Sequence, residues 1–224
     1  MPRTARIVHP GLPHHVTQRG NRRAPIFFER GDQRVYLRLL AEQTNRYGVE
    51  VWSYCLMPNH VHLILTPVDQ SGLARALGEA HRRYVAYVNG RQGWTGHLFQ
   101  DRFSSVAMDE EHFLAAARYV ALNPVRARLA ERPQDWPWSS VHAHLAGKDD
   151  EVVRVKPLLQ RVELGDLLRV GEVADHLYAH AFARLRRAET SPGGLVGGVL
   201  TSRGATAVQG TAYAVPSPAG DRTA

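Results

Sequence analysis

The sequence is poor in cysteine and in long apolar runs, and these shortages exclude several classes of protein. The single cysteine, Cys55, rules out an internal disulfide and a cysteine-based zinc cluster within the chain. No apolar run reaches the roughly 18 residues of a membrane-spanning helix, and the N-terminal stretch MPRTARIVHP lacks the apolar core of a signal peptide. We therefore expect a soluble, cytoplasmic protein with no membrane partner.

Acidic side chains are scarce in the first part of the chain. The formal net charge is +7, and residues 1–100 hold 13 basic and 6 acidic side chains, whereas residues 101–224 hold 15 of each. The first 23 residues contain five arginines and no acid. Such a segment suits a polyanion, and nucleic acid is the commonest polyanion in a cytoplasm. A GC-rich genome also produces an arginine bias, so charge alone favours nucleic-acid binding without establishing it.

The hydrophobic pattern predicts strand, helix, strand, strand, helix, strand and helix in that order. The strands are expected at 14–19, 49–56, 60–66 and 98–108, and the helices at 29–47, 73–88 and 110–122. This order is typical of a ferredoxin-like (split βαβ) fold, an α+β architecture with helices packed on one face of an antiparallel sheet.

The composition predicts three segments. We expect residues 1–148 to form the main domain, and residues 149–188 to form a helical accessory extension because leucine and valine recur there. Residues 189–224 are rich in Gly, Pro, Ser, Thr and Ala, which predicts a disordered tail.

His60 and His62 form the first candidate site. Side chains two residues apart on a strand project from the same face, about 6–7 Å apart along the chain. Two convergent imidazoles on a rigid strand make a half-site for a divalent metal. Among twelve histidines such a pair also arises by chance, and the spacing alone favours that ordinary interpretation.

Tyr119 and Asn123 form the second candidate site. Residues at i and i+4 lie one turn apart on the same helix face, here a face of polar and small side chains. A half-buried tyrosine packed on the sheet explains Tyr119 alone better than a functional role does. Asn123 precedes Pro124, which disfavours helical backbone angles at Asn123.

Five segments taken together resemble one family. They are PHHVTQRGNRRAPIF, MPNHVHLIL, GHLFQDRFSS, ARYVALNPVRARL and DWPWSS, and they occur in this order between about residues 5 and 146. The set is similar to the REP-associated tyrosine transposases of bacteria, which are domesticated relatives of small insertion-sequence transposases. One such motif is weak support, but five in order are specific. The tail departs from the family pattern, since it lacks the basic C-terminal segment that the family leads us to expect.

The resemblance implies roles for the candidate residues. It makes Tyr119 the nucleophile, and His60, His62 and Asn123 the metal ligands. A tyrosine that attacks a DNA phosphodiester forms a 5′-phosphotyrosine link and releases a 3′-hydroxyl. Two nitrogens and one amide oxygen leave octahedral positions open, which suits Mg²⁺ or Mn²⁺. A closed zinc site is disfavoured because the sequence shows no fourth protein ligand.

The resemblance also implies a substrate, namely single-stranded DNA or a hairpin formed by a short palindromic repeat. Gln and Asn can read base edges while Arg binds phosphates. The candidate DNA-binding residues are Arg3, Arg6, Gln18, Arg19, Asn21, Arg22 and Arg102, with Trp94 and Phe99 as candidates for stacking on unpaired bases. A plain surface or core role explains each of these residues equally well.

Three functions are alternatives to a transposase of this family. A non-cleaving DNA-binding protein on chromosomal repeats would not need the complete set of candidate catalytic residues. An RNA-binding module of similar fold is excluded because its aromatic strand motif is missing. Enzymes that start rolling-circle replication share the His-hydrophobic-His motif but not NPVRA and DWPWSS. We expect a monomer, with a dimer as the alternative.

Overall fold

The computed structural model describes residues 8–168, 198–201 and 204–207. Its strands are β1 (His14–Arg19), β2 (Val49–Met57), β3 (His60–Pro67), β4 (Ser104–Met108), β5 (Gly198–Thr201) and β6 (Gly204–Ala207). Its helices are α1 (Asp32–Arg46), α2 (Gly72–Gln92), α3 (Glu110–Arg126), α4 (Val141–Ala146), α5 (Lys156–Leu159) and α6 (Leu164–Leu167). Short 3-10 turns occupy Asn21–Arg23 and Pro133–Asp135.

The sheet has the strand order β2-β3-β1-β4-β5-β6. Strands β1 to β4 pair with one another in antiparallel fashion, whereas β5 runs parallel to β4 and β6 antiparallel to β5. The order β2-β3-β1-β4 with α1 and α2 as the crossovers is the split βαβ arrangement, so the predicted α+β, ferredoxin-like fold class is confirmed.

Strand β4 is shorter than the sequence suggested. It begins at Ser104, whereas the pattern predicted a strand from residue 98. The preceding residues turn back on the end of β1, where Phe99 bridges to Gly20 and the Gln100 amide donates to the Arg19 carbonyl oxygen. Residues 98–103 therefore form a loop beside β1.

Both faces of the sheet are apolar, and each needs a cover of helices. Nearly every residue of β2 and β3 is buried. Leu63 and Leu65 pack with α1 and α2 in one core cluster, while Ile64 packs with Phe113 of α3 in another. The expectation that the helices lie on one face holds for α1 and α2 but is wrong for α3, which covers the opposite face.

Helix α3 continues through a proline. Asp109 caps its first turn by accepting from the His112 amide, and Glu110 and Glu111 lie where the helix dipole favours acids. The sequence predicted an end at residue 122, but the helix runs to Arg126 with Asn123 and Pro124 inside it. Both residues are buried, and this burial outweighs the hydrogen bond that Pro124 cannot donate.

The predicted segments beyond residue 148 are described only in part. Residues 149–168 contain two single-turn helices, α5 and α6. Their side chains Leu158 and Leu167 belong to the same core cluster as Phe113 of α3. The rest of 149–188 lies outside the described residues. Strands β5 and β6 fall within 189–224, and the remainder of that tail is likewise not described, so the three-segment division stays a prediction. In the described part of the chain, no helix is both long and apolar enough to cross a bilayer.

Candidate active site

Two histidines of β3 and a tyrosine of α3 meet on one face of the sheet. His60 and His62 lie opposite Met57 and Cys55 of β2, so all four side chains share the face that α3 covers. The His60 and His62 ring centroids are 4.8 Å apart, and the Tyr119 ring lies edge-on to His62 at 5.2 Å. The structure thus brings together three of the four residues that the sequence assigned to catalysis and metal binding.

Asn123 lies one turn beyond Tyr119 on the same helix and is 8% exposed. Three residues further on, the Arg126 guanidinium lies over the Tyr119 ring at 5.2 Å from its centroid. Sequence reasoning did not assign Arg126 a role, although it lies on the same helix stripe. A cation at this position favours a negatively charged phosphate beside the ring.

Asn59 fixes the orientation of His60. The Asn59 Nδ2 donates to the Arg23 carbonyl oxygen at 3.0 Å, which leaves Oδ1 pointing at His60 Nδ1, 2.6 Å away. An amide oxygen only accepts, so the proton lies on His60 Nδ1. In the neutral imidazole the lone pair is then on Nε2, the form that binds a metal.

His15 is a site residue that sequence reasoning missed. It is fully buried on β1, its Nε2 lies 3.0 Å from His62 Nδ1, and its ring centroid lies 6.0 Å from that of Tyr119. The pairing of β1 with β3 places Thr17 opposite His62, so His15 and Thr17 share the face of the histidines. The position of His15 in the cluster follows from the register of β1 against β3, which the sequence alone does not provide.

The described DNA-binding candidates divide between the two faces of β1 and the adjacent loop. Arg19 lies opposite His60 and therefore on the face of the candidate site. Gln18 points to the other face, is 3% exposed and donates from Nε2 to the Asp101 carbonyl oxygen at 2.9 Å. These residues and Arg102 line a polar cleft of about 50 Å³. Arg3 and Arg6 lie outside the described residues.

The turn after β1 presents three exposed polar side chains, those of Asn21, Arg22 and Arg23. Arg22 and Arg23 have φ angles of 53° and 61°, in the left-handed region that residues other than glycine rarely occupy. Strain of this kind persists only where neighbouring structure enforces it, and it is concentrated at functional sites. Here the Gly20 amide donates to the Asn59 carbonyl oxygen at 2.9 Å, which joins the turn to the start of β3.

The two aromatic candidates for base stacking differ in exposure. Trp94 is 49% exposed and its ring packs edge-on against Phe28 at 5.2 Å. Phe99 is 9% exposed and belongs to the core cluster of α1 and α2. Only Trp94 presents a ring to which an unpaired base has access.

Residues 10–123 match the model of a family described as IS200-like transposases, which places the chain in the class of DNA transposases. Since this match covers just over half of the chain, the chain belongs to the IS200-like transposase family. A solved structure of a REP-associated tyrosine transposase bound to a REP hairpin has a similar fold, with a TM-score of 0.56 and 19% sequence identity. The similarity covers 69% of this chain and 92% of that one. No curated protein matches the sequence.

Proposed function

We propose that the protein is a metal-dependent endonuclease and strand transferase of the REP-associated tyrosine transposase type, acting on single-stranded DNA in palindromic repeat hairpins. The observation that carries this proposal is the contact of the Tyr119 ring with His62, 5.2 Å away, on the sheet face that also carries His60. A nucleophile and two metal-binding side chains are thereby held within one cluster on rigid elements.

In the proposed reaction the Tyr119 oxygen attacks a DNA phosphorus in line with the leaving 3′-oxygen. The new tyrosine–phosphorus bond replaces the phosphorus–O3′ bond, the phenol loses its proton, and the 3′-oxygen leaves as a hydroxyl. The 5′-phosphotyrosine link conserves the energy of the broken bond, so a second 3′-hydroxyl can reverse the step and join strands. Arg126, over the Tyr119 ring, stabilises negative charge as it develops.

His60, His62 and Asn123 are the residues that would hold the metal. His60 fits this role because Asn59 holds its proton on Nδ1 and leaves Nε2 for coordination. Within the described residues no group of three or more His, Cys, Asp or Glu could hold a metal, so the set relies on an amide oxygen. Two imidazoles and one amide oxygen would leave octahedral positions for phosphate and water oxygens, which suits Mg²⁺ or Mn²⁺. The cation would neutralise and orient the scissile phosphate.

The surface around the start of β3 supports binding of DNA. Arg19, Arg22 and Arg102 provide positive charge next to the cluster, and Arg19 lies directly across from His60. The solved structure with the similar fold binds a REP hairpin, which supports a hairpin as the partner of this chain. We propose that Arg102 and Arg19 contact phosphates, that Asn21 contacts bases, and that the protein acts as a monomer in the cytoplasm on chromosomal repeats.

The test is a cleavage assay with labelled single-stranded repeats from the DNA flanking the gene, in Mn²⁺ or Mg²⁺. Wild type should yield cut strands and a covalent protein–DNA adduct on a denaturing gel, and both should be absent in Tyr119→Phe and in EDTA. Tyr47→Phe is the matched control, because Tyr47 packs on the α1–α2 side of the sheet. Tight hairpin binding without cleavage by wild type in either metal would refute the enzyme and identify a non-cleaving DNA-binding protein.

A further inference from the structure

We propose that His15 is a positioning residue for the metal site: it holds the His62 ring in the orientation and tautomer that leave Nε2 of His62 available for a divalent cation. This inference rests on the proposed function, since it assigns the support of one of its metal ligands. His15 itself touches neither the cation nor the DNA in this proposal.

The strand pairing explains why His15 reaches His62. His15 lies opposite Ile64, and His62 lies opposite Thr17, so the two histidines are diagonal neighbours across β1 and β3. Diagonal positions are within reach of aromatic side chains on the same face of a sheet. The rings lie 5.2 Å apart with an interplanar angle of 29°, and the nitrogens His15 Nε2 and His62 Nδ1 are 3.0 Å apart.

Both rings are buried, which makes the hydrogen bond between them costly to break. His15 is 0% exposed and His62 is 4% exposed, so water does not readily replace either partner. A buried polar atom that loses its partner destabilises the structure because water does not replace the lost hydrogen bond. His15 also lies edge-on to Tyr119 at 6.0 Å, so its ring packs against both the nucleophile and the candidate ligand.

The position of the proton decides what His62 can do. One proton fits between the two nitrogens. If His15 donates it, His62 carries its own proton on Nε2 and cannot coordinate a metal through that atom. If His62 donates from Nδ1, its Nε2 has a lone pair, and His15 must accept through Nε2 while its proton lies on Nδ1. Metal binding by His62 Nε2 therefore requires His15 as a hydrogen-bond acceptor.

This arrangement parallels the support of the other histidine. Asn59 Oδ1 accepts from His60 Nδ1 just as His15 Nε2 would accept from His62 Nδ1. Both acceptors are neutral, whereas many metal-binding histidines donate to a carboxylate. A neutral acceptor leaves the charge of the cation uncompensated, which suits a site that must attract a phosphodiester.

The experiment measures Mn²⁺ binding by calorimetry to full-length wild type, His62→Ala, His15→Phe and His15→Gln. His15→Phe keeps a ring in place and removes the acceptor, and it should weaken Mn²⁺ binding by about 10–100-fold. His15→Gln restores an acceptor oxygen and should recover most of the affinity. His14→Phe is the matched control, because His14 is equally buried on the other face of β1, and its Mn²⁺ affinity should stay within about twofold of wild type.

The outcomes separate this inference from the proposed function. Loss of Mn²⁺ binding in His62→Ala supports the metal site, and absence of binding to wild type overturns both proposals. Wild-type affinity in a folded His15→Phe overturns the positioning role alone. In cleavage assays His15→Phe should lower kcat and leave KM for the hairpin unchanged, since His15 supports a metal ligand and does not contact the DNA.

A second measurement needs no variant. Histidine ¹⁵N spectra of the wild-type protein loaded with Zn²⁺, a diamagnetic probe, report which ring nitrogen carries each proton. The inference requires a proton on Nδ1 and none on Nε2 for both His62 and His15. A spectrum with the proton on His15 Nε2 would overturn it.

Discussion

Gly20→Ala tests whether the turn after β1 holds the candidate site in place. Gly20 has φ −63° and ψ 146°, angles that alanine adopts freely, so the added methyl acts only through contact. A Cβ at this position would lie 2.2 Å from the Ala24 carbonyl oxygen and 2.9 Å from Ile26 Cγ2. Ordinary contacts lie at roughly 3.5 Å, so the Ala24 carbonyl must move by about 1 Å.

The expected loss of stability follows from that displacement. Overpacking of this kind costs about 1–3 kcal/mol. At about 2–4 °C per kcal/mol for a chain of this size, a cost of about 2 kcal/mol lowers Tm by about 4–8 °C. The Ala24 amide also donates to Asn21, and the Gly20 amide to Asn59, so the shift should reach the support of His60.

Two assays follow the effect. Thermal unfolding by circular dichroism should show the lower Tm, and fluorescence anisotropy well below that Tm should show about fivefold weaker binding of the hairpin. Gly78→Ala is the matched control: apart from its chain neighbours and the backbone of its own helix, no atom lies within 4 Å of the added Cβ. An alanine inside α2 should stabilise the protein by about 0.5–1 kcal/mol. A Tm for Gly20→Ala equal to or above that of wild type would refute the reasoning.

Two further variants test a buried ion pair and an exposed ring. Burial raises the pKa of Asp32, but hydrogen bonds from the Arg91 guanidinium and from the Phe28 and Glu29 amides outweigh it and hold that pKa below its ordinary value. The stabilisation is therefore present above about pH 4 and is lost as the pH falls through the folded-state pKa. Asp32→Asn should lower the free energy of unfolding by about 2–4 kcal/mol at pH 7, and this difference from wild type should shrink in acid. Urea unfolding that shows the same difference at every pH would contradict this. Trp94→Ala should weaken binding of single-stranded DNA by about 1–3 kcal/mol with an unchanged Tm, and unchanged affinity in an anisotropy titration would exclude Trp94 from the DNA interface.

The sequence predicted the elements well where local rules determine them. Alternation placed His60 and His62 on one face of a strand, and that strand runs from His60 to Pro67 in the structure. Helical spacing placed Tyr119 and Asn123 on one face, although Pro124 led to an early end for the helix. The end was wrong because burial of α3 against the sheet depends on tertiary packing, which the rule for residues before proline does not include.

The features that the sequence did not predict depend on which strands are neighbours. His15 is part of the cluster only because β1 pairs with β3, a contact between residues 47 positions apart in the chain.

The position of α3 could have been anticipated, because the apolar run of β3 gives the sheet two buried faces, and α1 with α2 cover one of them. A continuous apolar strand already implies a second layer of helices.

Successive side chains of β1 lie on opposite faces of the sheet, so the two faces of this strand can be tested separately. His14, Val16 and Gln18 face the side of α1 and α2, while His15, Thr17 and Arg19 face the side of α3. Substitution of His14 should leave metal binding intact, whereas substitution of His15 should weaken it. His14→Phe and His15→Phe differ by one position and make the same chemical change, so a difference in metal binding between them must come from the face of the sheet and not from the loss of an imidazole as such.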